Sequence, residues 1–247
     1  MLFLRSFVKS NPKKILFIHG FLGSGCDFFP LMRLLNARFD CLAVDLPGHG
    51  RSCFNPVLSK HALLEDLVMI SKEHKVDYLI GYSLGGRLAL EMDYRFPCLF
   101  KKIVLLSSHP GIENKEKQHR EKKIAFWQSL IDTSPETFLN AWYSQPLFQT
   151  LSKKKIMQKR KGFDTNAAKW ALDELSLLKQ PLLSDHIKKH SNKFLCICGA
   201  KDLYYRQLYS TLNCKKIIPD ASHAIHIEKP NICYKHILKH LLSSKEL

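Results

Sequence analysis

The stretch Gly81-Tyr-Ser-Leu-Gly-Gly-Arg-Leu-Ala-Leu90 decides the fold. Ser83 lies two residues after one glycine and two residues before another, Gly85. The apolar run Tyr78–Ile80 precedes this stretch, and the segment Leu84–Tyr94 that follows Ser83 has helical apolar spacing. We therefore predict a buried strand, a sharp turn and a helix. A side chain at either flanking position would collide with the neighbouring strand or helix, which explains the glycines.

A serine at such a strand-to-helix turn projects its hydroxyl beyond the edge of the sheet. The unpaired N–H groups of the helix N terminus lie beside that hydroxyl. This arrangement is the nucleophile elbow, whose pattern is G-x-S-x-G. The position of Ser83 between a strand and a helix therefore predicts a reactive serine.

Short apolar runs alternate with helical segments over the first 107 residues. This order implies right-handed crossovers and a parallel sheet. The apolar N-terminal stretch is interrupted by Arg5 and is expected to be a first strand rather than a signal peptide. The other expected strands are Ile15–Ile18, Cys41–Val44, Tyr78–Ile80, Lys102–Ser107, Phe194–Cys198 and Lys215–Ile218.

The alternation stops between about residues 112 and 190, where only helical segments are expected. They are 113–131, 135–143, 152–161 and 165–178. We therefore predict an α/β fold in which residues 1–111 and 191–247 form the core and residues 112–190 form an inserted helical lid. The core is expected to hold a mostly parallel central sheet with helices on both faces. One further helix is expected from Asp27, as its cap, to about Arg38.

Composition favours one α/β domain, since 45% of the 247 residues are apolar. The net charge of +16 is compatible with nucleic acid or an acidic membrane surface as a partner. The lysine clusters are better explained as solvated helix faces, and no nucleic-acid-binding motif is present. We expect no nucleic-acid partner and no membrane insertion, because no apolar run is long enough to span a bilayer. Small acidic substrates are compatible with the charge.

The eight cysteines are scattered and include no C-x-x-C pair. This usage is typical of reduced thiols in a cytoplasmic protein. Cys196 and Cys198 alternate within an apolar run and are expected on one face of a buried strand. The histidines lack the spacing of metal ligands, and no phosphate-binding or dinucleotide-binding glycine pattern is present, so we expect neither a metal nor a cofactor.

A reactive serine needs a base, and the base needs an acid that orients it. Asp202 follows a predicted strand directly and is the better candidate for the acid, with Asp220 as its rival. His223, in the loop after the last strand, is the candidate base. Backbone N–H groups of Phe21 and Leu84 are expected to form an oxyanion hole. His19 and His49 are expected to brace loops.

Four segments carry a resemblance to the α/β-hydrolase superfamily that covers nearly the whole chain. They are HGFLGSG, DLPGHGRS, GYSLGG and the closing Asp…His pair. The segments SSHPGIENKEKQHREKK, FLNAWYSQPLFQTL, CGAKD and ASHAIHIEKP narrow the resemblance. Taken with GYSLGGR, they resemble the 2-succinyl-6-hydroxy-2,4-cyclohexadiene-1-carboxylate synthase family of menaquinone biosynthesis.

The resemblance implies a cofactor-free lyase that expels pyruvate from 2-succinyl-5-enolpyruvyl-6-hydroxy-3-cyclohexene-1-carboxylate. It implies that Ser83, Asp202 and His223 form the triad and that Phe21 and Leu84 supply the oxyanion N–H groups. It also implies that Arg87, Arg120 and Arg160 hold the substrate's carboxylates, with Tyr82 and Trp142 lining the pocket. Guanidinium groups pair bidentately with carboxylates and stay charged, which agrees with that assignment.

The sequence departs from the family at three places. Ser222 stands where the family has a glycine, Tyr204-Tyr205 replace a lysine–phenylalanine pair, and the stretch 151–164 is shorter. Two other functions remain open. One is a serine esterase of the same fold, for example a pimeloyl methyl ester esterase that acts through an acyl-serine. The other is a binding protein on an inactive hydrolase frame.

Overall fold

The computed structural model describes residues 2–243. In this part of the chain seven strands form one sheet, and they are β1 (Phe3–Phe7), β2 (Lys14–Ile18), β3 (Asp40–Asp45), β4 (Tyr78–Tyr82), β5 (Lys102–Leu106), β6 (Phe194–Gly199) and β7 (Lys215–Ile218). Their order across the sheet is β1-β3-β2-β4-β5-β6-β7. β1 pairs antiparallel with β3, and the remaining neighbours pair in parallel. The predicted α/β class and mostly parallel sheet are therefore confirmed.

The central strands are covered on both faces. Every residue of β3 and β6 is buried. A strand that is buried on both faces has a continuous apolar run instead of alternation, and this is the pattern from which the strands were predicted. Cys196 and Cys198 lie in the same apolar cluster, as expected, and all eight cysteines are free thiols.

Helices pack on both faces of this sheet. The described helices are α1 (Phe29–Leu35), α2 (Lys60–Glu73), α3 (Leu84–Arg95), α4 (Asn114–Thr133), α5 (Pro135–Tyr143), α6 (Lys153–Arg160), α7 (Thr165–Glu174), α8 (Ser184–Lys189), α9 (Leu203–Leu208), α10 (Ile225–Glu228) and α11 (Pro230–Leu242). Apolar residues of α2 and α3 pack in the cluster on one face, and those of α1 and α11 pack in the cluster on the other. None of the helices within residues 2–243 has the length and apolar character needed to cross a membrane.

Helices α4 to α8 lie between β5 and β6 in a segment that we call the insertion (residues 112–190). The insertion has an apolar cluster of its own, which includes Trp127 of α4 and Phe138 of α5. Leu22, from the loop after β2, is buried in the same cluster. The insertion therefore packs over the carboxyl end of β2. The division of the chain into core and lid stays a prediction, and Met1 and residues 244–247 of it fall outside the described residues.

The region after β2 differs from the single helix expected there. A 3-10 turn covers Gly25–Phe28, and α1 begins only at Phe29 because Pro30 occupies its first turn. Ser24 precedes the 3-10 turn, and the Asp27 carboxylate accepts a hydrogen bond from Ser24 N at 3.1 Å. Asp27 is therefore the third residue of a capping box rather than the cap of a long helix. The short helices α8 and α10 were not predicted.

Candidate active site

Ser83 lies at the turn between β4 and α3, in a backbone conformation that few residues adopt. Its φ is 49° and its ψ is −109°. Its backbone N–H donates to Leu106 O of the neighbouring strand at 2.8 Å, which holds the turn against the sheet. A non-glycine residue with positive φ costs free energy and is concentrated at functional sites.

The flanking glycines are required by backbone contacts around the turn. A Cβ atom at Gly85 would lie 2.1 Å from Ile18 O, and one at Gly81 would lie 2.4 Å from Gly86 Cα. Both contacts are with backbone atoms that cannot rotate away. The geometry agrees with the explanation that the sequence suggested for these two glycines.

The structure brings Ser83, His223 and Asp202 together from three loops at the carboxyl edge of the sheet. His223 Nε2 lies 3.1 Å from Ser83 Oγ, and His223 Nδ1 lies 2.7 Å from Asp202 Oδ2. Since the carboxylate accepts, Nδ1 carries a proton and Nε2 is free to accept the serine hydroxyl proton. This is the geometry of a nucleophile, a base and an orienting acid.

The rival acid, Asp220, does not take part in this arrangement. It is exposed, and its carboxylate lies 3.9 Å from Lys201 Nζ. Asp202, in contrast, is buried and caps α9, with its side chain accepting from Tyr205 N at 3.4 Å. The carboxylate beside His223 is therefore well fixed.

The residues expected to supply the oxyanion N–H groups lie on either side of the serine. Leu84 is the first residue of α3, and Phe21 lies in a turn closed by a hydrogen bond from Gly23 N to Gly20 O at 2.9 Å. Both line the cavity above Ser83. Two buried histidines hold this region: His19 Nε2 accepts from Leu46 N at 2.9 Å, and His49 Nε2 accepts from Leu22 N at 3.2 Å.

A cavity of about 570 Å³ opens over the triad. Residues of both the core and the insertion line this cavity. The predicted lining residues Tyr82 and Trp142 are both on its surface. The rings of Trp142 and Phe21 are 4.9 Å apart, so the insertion contacts the expected oxyanion turn. The space is large enough for a substituted six-membered ring.

Cations line this cavity without carboxylate partners. Among the described residues, Arg87 of α3 donates to the neutral side chain of Gln180, at 3.4 Å. Burial, and then the neighbouring charge of Arg120, lowers the pKa of Arg87 to about 10. Burial also lowers the pKa of Arg120, and its buried Nε has no hydrogen-bond partner. Within residues 2–243 neither guanidinium forms an ion pair.

Partly buried charges without partners destabilise the free protein, so the two arginines favour an anionic ligand. Lys123, one turn after Arg120 on α4, adds a third cation at the cavity wall, and its pKa is lowered by burial and by Arg120. Glu116 also lines the cavity and adds one negative charge, and its carboxylate accepts from Glu113 N at 2.9 Å. Because Arg87, Arg120 and Lys123 line the same cavity, positive charge still exceeds the charge of Glu116.

Arg160 is not brought to the cavity, although it was predicted to hold a substrate carboxylate. It is buried at the end of α6, and its Nη2 lies 2.5 Å from Asp27 Oδ2. Burial opposes the charge, but Asp27 and the Tyr143 hydroxyl oxygen, to which Arg160 also donates, raise the pKa of Arg160. In this structure its role is to join the insertion to the turn before α1.

Several residues of the site were missed by sequence reasoning. The ring of Tyr205 lies 4.9 Å from that of His223, and Phe148 packs at 5.8 Å on the edge of the same ring. His109 lines the cavity and contacts the Tyr204 hydroxyl at 2.8 Å. The segments that contain these residues stood out in the sequence, but their positions relative to His223 depend on tertiary packing. No cluster of possible metal ligands occurs among residues 2–243.

His226 packs beside Tyr82, next to the triad serine in the chain, and has no polar partner among residues 2–243. Its ring packs 4.3 Å from Tyr82 and 4.7 Å from Phe28, and neither of its nitrogens forms a hydrogen bond. Burial lowers the pKa of His226 to about 3, although Asp27 favours the charged form; Arg160 and His223 oppose it. His226 is therefore a neutral core residue of this site.

We expect His226 to make the protein less stable in acid. The unfolded chain takes up a proton below the ordinary pKa of 6.5, whereas the folded chain resists it down to about 3. Stability that is present above pH 6.5 is therefore lost as the pH falls, by about 1.4 kcal/mol per pH unit for this histidine. The unfolding free energy of both proteins should fall between pH 7 and pH 5. The fall should be about 2 kcal/mol smaller in His226→Phe than in the wild type.

Urea unfolding at the two pH values measures this difference. The exposed His61, changed to glutamine, is the control and should follow the wild type. Equal losses in the wild type and His226→Phe would contradict the expectation. His19 and His109, whose pKa values are lowered by burial to about 3, contribute with the same sign to both proteins.

Comparison with known proteins places this chain in a family. A sequence profile of the alpha/beta hydrolase fold matches residues 13–230. A 2-succinyl-6-hydroxy-2,4-cyclohexadiene-1-carboxylate synthase from Escherichia coli is 31% identical over 229 residues, which cover 87% of this chain and 88% of that protein. The chain belongs to this synthase family of the α/β-hydrolase fold.

Another sequence relative and two solved structures are also similar to this chain. The chloroplastic protein PHYLLO of Arabidopsis thaliana is 30% identical over 251 residues, which cover 87% of this chain but only 14% of PHYLLO. The structure of MenH from S. aureus aligns over 97% of both chains with a TM-score of 0.82 and 22% identity. A malate-bound thermophilic esterase from Thermogutta terrifontis has a TM-score of 0.73 and 18% identity, over 97% of this chain and 92% of its own. These two structures show the shared fold.

Proposed function

We propose that the chain eliminates pyruvate from 2-succinyl-5-enolpyruvyl-6-hydroxy-3-cyclohexene-1-carboxylate, giving 2-succinyl-6-hydroxy-2,4-cyclohexadiene-1-carboxylate in menaquinone biosynthesis. One observation carries the proposal: unpaired arginines line the same cavity as a complete serine–histidine–aspartate arrangement. The substrate carries three carboxylates, and Arg87 and Arg120 lack anionic partners. The family relatives are named as synthases of the proposed product.

The triad supplies the base. The proton at ring position 2 lies next to the succinyl ketone, so its removal leaves an enolate. Ser83, after giving its proton to His223, would take that proton. The electron pair then forms the C2–C3 double bond, C3=C4 shifts to C4=C5, and the C5–O bond to the enolpyruvyl group breaks. The departing enolate takes a proton and becomes pyruvate, so the atoms balance without water.

The surroundings of Ser83 fit the charge that develops during this reaction. N–H groups of Phe21 and Leu84 would donate to the oxygen of the enolate, and preorganised donors of this kind lower barriers strongly. Arg87 and Arg120 would hold carboxylates away from the reacting carbon and orient the ring. Asp202 would keep the His223 tautomer that accepts from Ser83 and stabilise the imidazolium.

A serine esterase is the second candidate, because the same three residues and N–H groups perform ester hydrolysis on this fold. Measuring both reactions on the purified protein decides between them. We expect pyruvate release from the enolpyruvyl substrate, followed by lactate dehydrogenase and NADH absorbance, with at most slow hydrolysis of p-nitrophenyl esters. Rapid ester hydrolysis without pyruvate release would refute the lyase assignment.

A further inference from the structure

The loop that carries His223 is hydrogen-bonded to the insertion. His223 N donates to Leu147 O at 3.1 Å. The hydroxyl of Ser222, whose residue is fully buried, donates to the same carbonyl oxygen at 2.6 Å. Leu147 belongs to the segment between α5 and α6, so the backbone on the N-terminal side of the imidazole is joined to the insertion.

A single carboxylate holds both sides of the same residue. Glu228, the last residue of α10, accepts from Ser222 N at 2.9 Å and from Ala224 N at 3.1 Å. These two N–H groups flank His223 in the chain. The Thr150 hydroxyl of the insertion donates to the same carboxylate. Glu228 therefore fixes the His223 backbone and links it a second time to the segment that contains Leu147.

These contacts matter because the reactive geometry tolerates little movement. The path from Ser83 Oγ to Asp202 Oδ2 runs through one imidazole ring, with contacts of 3.1 and 2.7 Å. A displacement of about 1 Å at such a site lowers reaction rates by up to about 100-fold. The position of His223 depends on its loop, and the loop depends on the insertion.

We propose that Ser222, Glu228 and Thr150 are positioning residues. They keep His223 within hydrogen-bond distance of Ser83 by bonding its loop to residues 147–150. The insertion then does more than cover the cavity, because its contacts with the loop position His223. The proposal rests on the proposed function only in taking Ser83 as the reactive group. None of the three residues lines the cavity or touches the reacting atoms.

Thr150→Val and Ser222→Ala test the proposal. The first readout is the rate at which a fluorophosphonate labels Ser83, which reports activation by His223 without the natural substrate. The second is kcat and KM for pyruvate release. We expect labelling and kcat to fall about tenfold in each variant while KM stays within twofold. Thr150→Ser keeps the hydroxyl and should restore both rates.

Ser71→Ala is the matched control, because Ser71 is also buried and its hydroxyl donates to a backbone carbonyl, Leu67 O, at 2.7 Å in α2. It should label at the wild-type rate. Labelling at the wild-type rate in both variants overturns the proposal, even if their melting temperatures fall. If Ser222→Ala does not fold, Thr150→Val and Thr150→Ser decide the question.

This experiment distinguishes a failure of the proposed reaction from a failure of the positioning roles. A wild-type protein that is labelled at Ser83 but releases no pyruvate refutes the proposed reaction, and the labelling rates of the variants still decide the positioning roles. A wild-type protein that is not labelled has no activated serine, which refutes the positioning roles as well.

Discussion

Replacing Ser83 with alanine is expected to lower the rate of pyruvate release by about three orders of magnitude. The substitution removes the hydroxyl that lies 3.1 Å from His223 Nε2, which in the proposed reaction is the group that meets the substrate. His223→Ala should have a loss of similar size, because the hydroxyl then has no proton acceptor. Steady-state assays of pyruvate formation measure both effects.

The matched control for this experiment is Ser129→Ala, which removes an exposed hydroxyl of α4 that donates to Phe126 O. It should retain wild-type turnover. Circular dichroism should show the same fold in Ser83→Ala and Ser129→Ala, since alanine keeps the Cβ atom of serine. A Ser83→Ala enzyme that kept a tenth or more of the wild-type rate would remove the triad from the mechanism.

Replacing Arg87 with methionine is expected to lower kcat/KM for pyruvate release by about 100-fold, mostly through KM. Its charge-assisted bonds to a carboxylate, about 1.5 to 3 kcal/mol each, would be lost. The free protein should become more stable, because burial and Arg120 already disfavour the Arg87 charge. Kinetics and thermal unfolding of the same variant test these opposite effects.

Arg33→Met, an exposed change on α1, is the control for the loss of one positive charge and should alter neither quantity. The salt dependence of KM should also weaken in the Arg87 variant, since one buried cation no longer attracts the substrate. Unchanged kinetics together with unchanged stability would rule out Arg87 as part of a carboxylate site.

The features that sequence predicted well are local or follow from the ends of parallel strands. The turn at Ser83 was predicted because a strand, two glycines and a helix are contiguous in the chain. Asp202 and His223 each follow a strand of the same sheet, and the carboxyl ends of parallel strands meet at one edge. Topology therefore places these three residues at the same edge of the sheet.

The features that sequence did not predict depend on packing between distant segments. Arg160 has the charge expected of a carboxylate ligand, but its partner is Asp27, 133 residues away in the chain. No spacing rule reports such a pair. Asp27 was misread as a helix cap because it lies inside a 3-10 turn before α1, where its carboxylate accepts from Ser24 N and pairs with Arg160. Lys123 was missed because it resembles the solvated lysines around it on α4.

The close backbone contacts at Gly81 and Gly85 affect how distant relatives should be recognised. Those contacts with Gly86 and Ile18 exist whatever residue stands at position 83. A descendant that had lost its chemistry would still be selected for glycine at both places simply in order to fold. Searches of genomes for active members should therefore weight the serine and the histidine above the glycine frame, which inactive copies will also preserve.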